Sequence, residues 1–146
     1  MIKQACFLVA AMLGFISCTE KPVDYTRAES FFNRISSQQN APLSFKYGEK
    51  ESTEILKSCE FSMNESVDTQ GWKVKTSKFT SEDNLIYTIV SKIAPDMPVV
   101  EWTCYIENAG KDTTQIFSDI FGANLSLELN ATEGQDYNFR YSIGSH

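Results

Sequence analysis

From Val100 to Glu107 apolar and polar residues alternate without a break: Val100, Trp102, Cys104 and Ile106 against Glu101, Thr103, Tyr105 and Glu107. A repeat of two sends successive side chains to opposite faces of a pleated backbone, so this stretch predicts a strand with one buried and one solvated face. Wound as a helix, the same residues would scatter their apolar groups around the cylinder. Asn108-Ala109-Gly110-Lys111 follows with turn chemistry, Gly110 being free to take a positive φ. A second β-rich run, Thr113 to Ile120, comes next. Pro98 to Ile120 is therefore expected as strand, turn and strand, with Trp102 as its apolar anchor.

Other short runs share this character. Leu43, Phe45 and Tyr47 alternate, Gly48 to Ser52 reads as a turn, and Glu54 to Met63 as a further strand, with Cys59, Phe61 and Met63 on one face. Asn64 to Gly71 is a polar loop. Trp72–Thr80 and Leu85–Ile93 form a hairpin around Ser81-Glu82-Asp83-Asn84, and Pro95 and Pro98 stiffen the link to the Val100 strand. Later strands are expected at Leu125–Leu129 and Tyr137–Ile143. Only Thr26 to Ile35 has a helical period. Ala28, Phe31, Phe32 and Ile35 make its apolar stripe, and Thr26 and Glu29 have capping-box spacing. The polar linker Ser36–Ala41 and Pro42 end it. About eight short strands and one helix predict an all-β fold, an antiparallel β-sandwich with one short N-terminal amphipathic helix.

Residues 1–17 read as a signal peptide. Lys3 supplies the positive start and Ala5–Ile16 the apolar core, too short for an ordinary spanning helix. Ser17-Cys18 then resembles a bacterial lipobox, which makes Cys18 the expected site of lipid attachment, residues 18–25 a tether and residues 26–146 the folded domain. The expected location is the cell envelope, at the periplasmic or outer-membrane face, with the lipid bilayer as a partner through Cys18. The formal net charge is −6 and there is no cluster of Lys and Arg. That pattern lacks the basic footprint of a nucleic-acid binder and the polybasic patch of a membrane-surface segment.

Of the four cysteines, Cys6 leaves with the signal peptide and Cys18 carries lipid, so Cys59 and Cys104 remain. Both occupy apolar strand positions where a thiol packs as a small hydrophobe. An oxidising compartment equally permits a Cys59–Cys104 disulfide, and sequence does not set the Cα separation that a bridge demands. No CxxC motif or His pair points to a metal, and no cofactor motif is present. His146 is the single histidine. Acidic pairs such as Glu82/Asp83 and Asp112/Asp119 sit in no motif that would face two carboxylates across a glycosidic bond, and they read as solvated turns and edges. Trp102 belongs with the core. Trp72, opening a strand after Gly71, and Tyr105, in the outward row with Thr103 and Glu107, are the candidate contacts for a glycan or a second domain.

Several phrases carry a resemblance. PLSFKYGEKESTEILKS (Pro42–Ser58), PDMPVVEWTCYIENAGKDTTQIFSDI (Pro95–Ile120) and RYSIGSH (Arg140–His146) resemble the N-terminal β-domain of bacterial α-galactosidase-like glycoside hydrolases, the melibiase-like family 36. The similarity runs from about Ala28 to His146, with Glu49 departing from the small residue usual in the first turn. It implies the first part of a large supersandwich that packs on a catalytic barrel. The family's aspartate nucleophile and acid/base lie in that barrel and map to nothing here. The resemblance thus implies a lipid-anchored, non-catalytic accessory domain, stopping before the barrel, of an enzyme that hydrolyses terminal α-galactosides. The barrel or α-galactoside glycans are then its expected partners. A free-standing lipoprotein that binds glycan or protein through a sandwich face is the alternative reading of the same residues.

Overall fold

A computed structural model describes residues 25–126. The signal segment, Cys18, the tether up to residue 24, and the expected strands at Leu125–Leu129 (beyond Ser126) and Tyr137–Ile143 lie outside that range. The elements run α1 (Thr26–Ile35), a short 3₁₀ turn at Gln38–Asn40, β1 (Ser44–Tyr47), β2 (Lys50–Glu51), α2 (Ser52–Ser58), β3 (Glu60–Val67), β4 (Lys73–Thr80), β5 (Leu85–Ile93), β6 (Val100–Asn108) and β7 (Phe117–Phe121). They build two antiparallel sheets, a four-stranded one in the order β3-β4-β5-β6 and a three-stranded one in the order β2-β1-β7. The fold is all-β and sandwich-like.

The larger sheet follows the alternation of its sequence. Leu85, Tyr87, Ile89, Ser91 and Ile93 of β5 are all buried, while Ile86, Thr88, Val90 and Lys92 between them are half-buried on the opposite face. Register carries the inner row across to Ser77 and Phe79 of β4 and to Trp102, Cys104 and Ile106 of β6. One half of this inner face is covered by the small sheet and α2, where Leu43, Phe45, Ile55, Leu56 and Cys59 pack with Phe79, Leu85, Tyr87 and Ile89. Phe45 stacks on Tyr87 at 4.9 Å between ring centres and meets Phe117 edge-on at 5.5 Å.

The other half is covered by α1. Phe32 and Ile35 are buried, Phe31 meets Trp102 edge-on at 5.8 Å, and three serines close the polar gaps. Ser36 Oγ donates to the Phe32 carbonyl at 2.7 Å and lies 2.6 Å from Ser91 Oγ, while Ser77 Oγ donates to the Ser36 carbonyl at 2.6 Å. Each buried hydroxyl is thereby satisfied, the condition for placing serine inside a sheet. The helix opens with Tyr25 as N-cap, which makes no side-chain cap bond, and Glu29 reaches Lys73 at 3.3 Å.

Several sequence expectations change. Glu54 to Met63 is not one strand: Ser52–Ser58 is α2, so the domain has a second short helix. Ser52, Ile55, Leu56 and Cys59 recur at i, i+3, i+4 and i+7, and all four are buried. The helical stripe governs the first part of the run, while Glu60–Met63 are strand as expected and open β3. The expected loop after Met63 is strand as far as Val67, fully paired with β4. The Val100–Ile120 unit is also not a hairpin, because β7 leaves β6 and pairs with β1 instead. The eight residues between them, Ala109–Ile116, exceed the two to five of a hairpin loop and let the chain cross to the second sheet. Gly110 anchors an Asx turn by donating to Asn108 Oδ1 at 2.9 Å and keeps a negative φ; the described glycines at positive φ are Gly48 and Gly71.

Candidate functional site

The residues singled out from sequence do not converge. Tyr105 is 55% exposed on the open face of the large sheet, opposite Thr88, with Thr103 and Glu107 beside it in the outward row. A depression of about 270 Å³ adjoins it, walled by Val90, Lys92, Glu101 and Thr103. Trp72 is half-buried at the head of β4, on the same face parity but six residues from the Tyr105 row and two strands away. Six residues of strand span about 20 Å, so one small ligand does not touch both. Trp72 instead braces the β3–β4 turn: its N–H donates to Asp68 Oδ1 at 3.1 Å and its carbonyl accepts from Asp68 N–H at 3.0 Å. Burial works to raise the Asp68 carboxyl pKa. The backbone N–H groups of Trp72 and Gln70, with the Lys92 ammonium at 3.4 Å, outweigh it and hold the group below the usual carboxylate range.

Trp102 lies on the inner face, its indole N–H donating to the Gly122 carbonyl at 2.7 Å. Cys59 is buried and Cys104 half-buried, and both are free thiols. The register carries Cys104 through Ile89 and Ser77 to Met63, three strand spacings or about 14 Å across the sheet, and Cys59 lies four residues further along, far beyond the ~4.4–6.8 Å between Cα atoms of a bridge. Burial pushes both thiols up from their ordinary pKa. The acidic pairs are surface features. Glu82 and Asp83 form the β4–β5 turn, and Asp119 on β7 pairs with Lys46 of β1 at 3.1 Å. That hydrogen bond and the Asp119 charge hold the Lys46 ammonium above its usual range. Among the described residues no group of three His, Cys, Asp or Glu side chains gathers as a metal site, and no helix is long and apolar enough to cross a membrane.

The feature that sequence reasoning missed is a cleft of about 630 Å³ at one end of the core. The β1–β2 hairpin, with Tyr47, Glu49 and Lys50, forms one wall. The β4–β5 turn, with Ser81, Glu82 and Asp83, forms another, and Ser58 at the end of α2 and Gln115 complete the rim. Ile55, Leu85 and Tyr87 line its base. Gly48, at φ +60°, turns the hairpin tightly enough for the Gln115 side-chain oxygen to rest against it, and Gln115 N–H donates to Tyr47 Oη at 3.2 Å. Tyr87 is wholly buried, and among the described residues its hydroxyl has no hydrogen-bond partner. Desolvation raises its pKa far above the ordinary phenol value, helped by the nearby charges of Cys59, Tyr47 and Asp83. In sequence Tyr87 is indistinguishable from Leu85 and Ile89, one more apolar member of an alternating row. No family profile, curated protein or solved structure matches this sequence.

Proposed function

We propose that the chain is a non-catalytic β-domain of an α-galactosidase-like glycoside hydrolase, held at the cell envelope by lipid on Cys18. The observation that carries this reading is the meeting of two separated phrases. PLSFKYGEK and the FSDI segment, some seventy residues apart, lie side by side as β1 and β7, with Lys46 opposite Ser118 and Tyr47 opposite Phe117. Phe45 and Phe117 from these strands close over Tyr87. The strand parts of both phrases thus belong to one layer, the one that makes a sandwich of the larger sheet. In this reading the open face around Tyr105 is where a catalytic barrel docks. An exposed aromatic amid Thr and Glu has the mixed chemistry of an interdomain surface.

The test is to read the coding sequence that follows His146 and to assay the polypeptide it specifies, joined to or mixed with this chain, on p-nitrophenyl α-galactoside. The reading expects a barrel whose turnover rises when the chain is present and does not rise with a Tyr105→Glu chain. An unrelated coding sequence, or turnover indifferent to the chain, sinks it.

A further inference from the structure

We propose that the end of the large sheet formed by the β3–β4 turn and the β5–β6 connection rests on the headgroup layer of a zwitterionic lipid bilayer. This inference rests on the reading of Cys18 as the lipid-bearing residue and adds to it the surface that meets the membrane. Two observations meet at this end. The first is where the chain leaves the domain. Three contacts track α1 along β4: the Ser36 carbonyl accepts from Ser77 Oγ at 2.6 Å, Asn33 Oδ1 accepts from Lys75 Nζ at 2.7 Å, and Glu29 pairs with Lys73 at 3.3 Å. Moving back along the helix thus moves toward the start of β4. Tyr25, whose carbonyl accepts from Glu29 N–H, lies further in the same direction. Cys18 lies seven residues before Tyr25, a reach of about 25 Å at full extension. That is shorter than the roughly 30 Å spanned by the nine residues of β5. A lipid on Cys18 therefore holds this end of the sheet nearer the bilayer than the far end.

The second observation is what this end exposes. Every residue from Pro95 to Val99 is exposed, and all but Asp96 are apolar. Val99 N–H donates to the Met97 carbonyl at 2.8 Å and Ala94 N–H to the Val99 carbonyl at 3.1 Å, which bends the connection into a defined tip. A Cβ placed on Gly71 would meet the Pro95 ring at 3.8 Å, so the β3–β4 turn with half-buried Trp72 lies beside that tip. At the other side of the sheet Val67 is 66% exposed, and the register joins it through Lys73 and Ile93 to Val100. Three strand spacings, about 14 Å, thus carry apolar groups across the width of this end. Trp with aliphatic and polar neighbours is the chemistry of the headgroup layer, where one side of a residue is apolar and the other wet. Asp68 is paired with Lys92 and Glu29 with Lys73, which limits the charge brought to the lipid. Asp96 adds a negative charge at the tip, and the net charge of −6 repels anionic headgroups. Apolar contact with zwitterionic lipid, rather than electrostatic attraction, is therefore the fitting mode. The surface is separate from the Tyr105 face and leaves that face open to a barrel.

The experiment attaches the mature chain to phosphatidylcholine nanodiscs by a diacyl group coupled chemically to its N-terminus. The anchor is then fixed whether or not cells lipidate Cys18, so a failure of docking is read apart from a failure of lipidation. A nitroxide-headgroup lipid broadens the amide resonances that approach the bilayer. Broadening is expected at Gln70, Trp72, Met97 and Val99, and not at Asp83 or Ile116 toward the far end. A spacer of about twenty Gly and Ser residues inserted before Tyr25 releases the constraint of the short tether, and the same amides should still broaden. Met97→Asp with Val99→Asp should lower the docked population about tenfold, the scale of withdrawing one apolar side chain from contact. An otherwise unchanged amide spectrum verifies that this variant folds. Added phosphatidylglycerol should weaken the broadening. The proposal is overturned if the long spacer abolishes the broadening or spreads it evenly over the domain, or if the broadening centres on Tyr105 or on Ile120 and Phe121. It is overturned equally if the double variant broadens as the parent does, or if phosphatidylglycerol strengthens the effect.

Discussion

Replacing Tyr87 by Phe should make the protein more stable, which is unusual for a change at a wholly buried position. The Tyr87 ring is stacked on Phe45 at 4.9 Å and touched edge-on by Phe117 at 6.5 Å, and Phe keeps both contacts. What disappears is a hydroxyl that leaves water on folding and finds no described partner. An unsatisfied buried polar group costs about 1–3 kcal/mol. The hole left by one heavy atom costs up to about 1 kcal/mol. The difference favours Phe by roughly 1 kcal/mol, which for a domain of about a hundred residues raises the melting temperature by roughly 4–8 °C.

The pH dependence gives a second handle on the same substitution. Because the folded-state pKa of Tyr87 is raised, folding holds its proton. The associated stability is intact below the unfolded value near 10 and drains away as pH climbs above it. Tyr87→Phe should flatten that alkaline decline. Urea melts of both proteins at neutral and alkaline pH measure both effects. A loss of about 0.5 kcal/mol or more at neutral pH, the worth of a made hydrogen bond, would show that the hydroxyl has a partner and would refute the reasoning.

Ser77→Ala removes the donor to the buried Ser36 carbonyl and should cost about 1–3 kcal/mol in the same melts; a neutral result would mean that the α1–sheet junction does not depend on its serines. Asp68 has a lowered pKa, so its contribution is present above the unfolded value near 4 and is lost as pH falls through the folded one. Protection of the β3–β4 turn amides, relative to their intrinsic exchange, should therefore fall selectively in acid, and Asp68→Asn should show the reduced protection at neutral pH; equal protection in both proteins would refute this. If Cys18 carries lipid as proposed, Cys18→Ala should abolish incorporation of labelled palmitate and shift the protein out of the membrane fraction, while no labelling of the parent, or undiminished labelling of the variant, would refute lipid on Cys18. A thiol reagent such as Ellman's should modify Cys59 only on unfolding, given its burial and raised pKa; prompt reaction in the native state would contradict the packing of α2.

Alternation and spacing are local properties, and they determined what is local here. The period of two in β5 and β6 announced which side chains turn inward. The Phe31, Phe32 and Ile35 stripe announced α1, and Ser81–Asn84 announced the β4–β5 hairpin. Even the missed helix α2 was written at helical spacing in Ser52, Ile55, Leu56 and Cys59. What the tertiary structure alone decided was partnership. β7 has the composition to pair with either neighbour, and it pairs with β1 because its connection is long enough to cross between sheets. The same alternating row holds Leu85, which needs only apolar neighbours, and Tyr87, which also needs a partner for its hydroxyl. A periodic pattern assigns both to the interior. Only the packing of Phe45 and Phe117 over this row decides that the Tyr87 hydroxyl finds no partner among the described residues, because hydrogen-bond satisfaction depends on atoms brought together from distant parts of the chain.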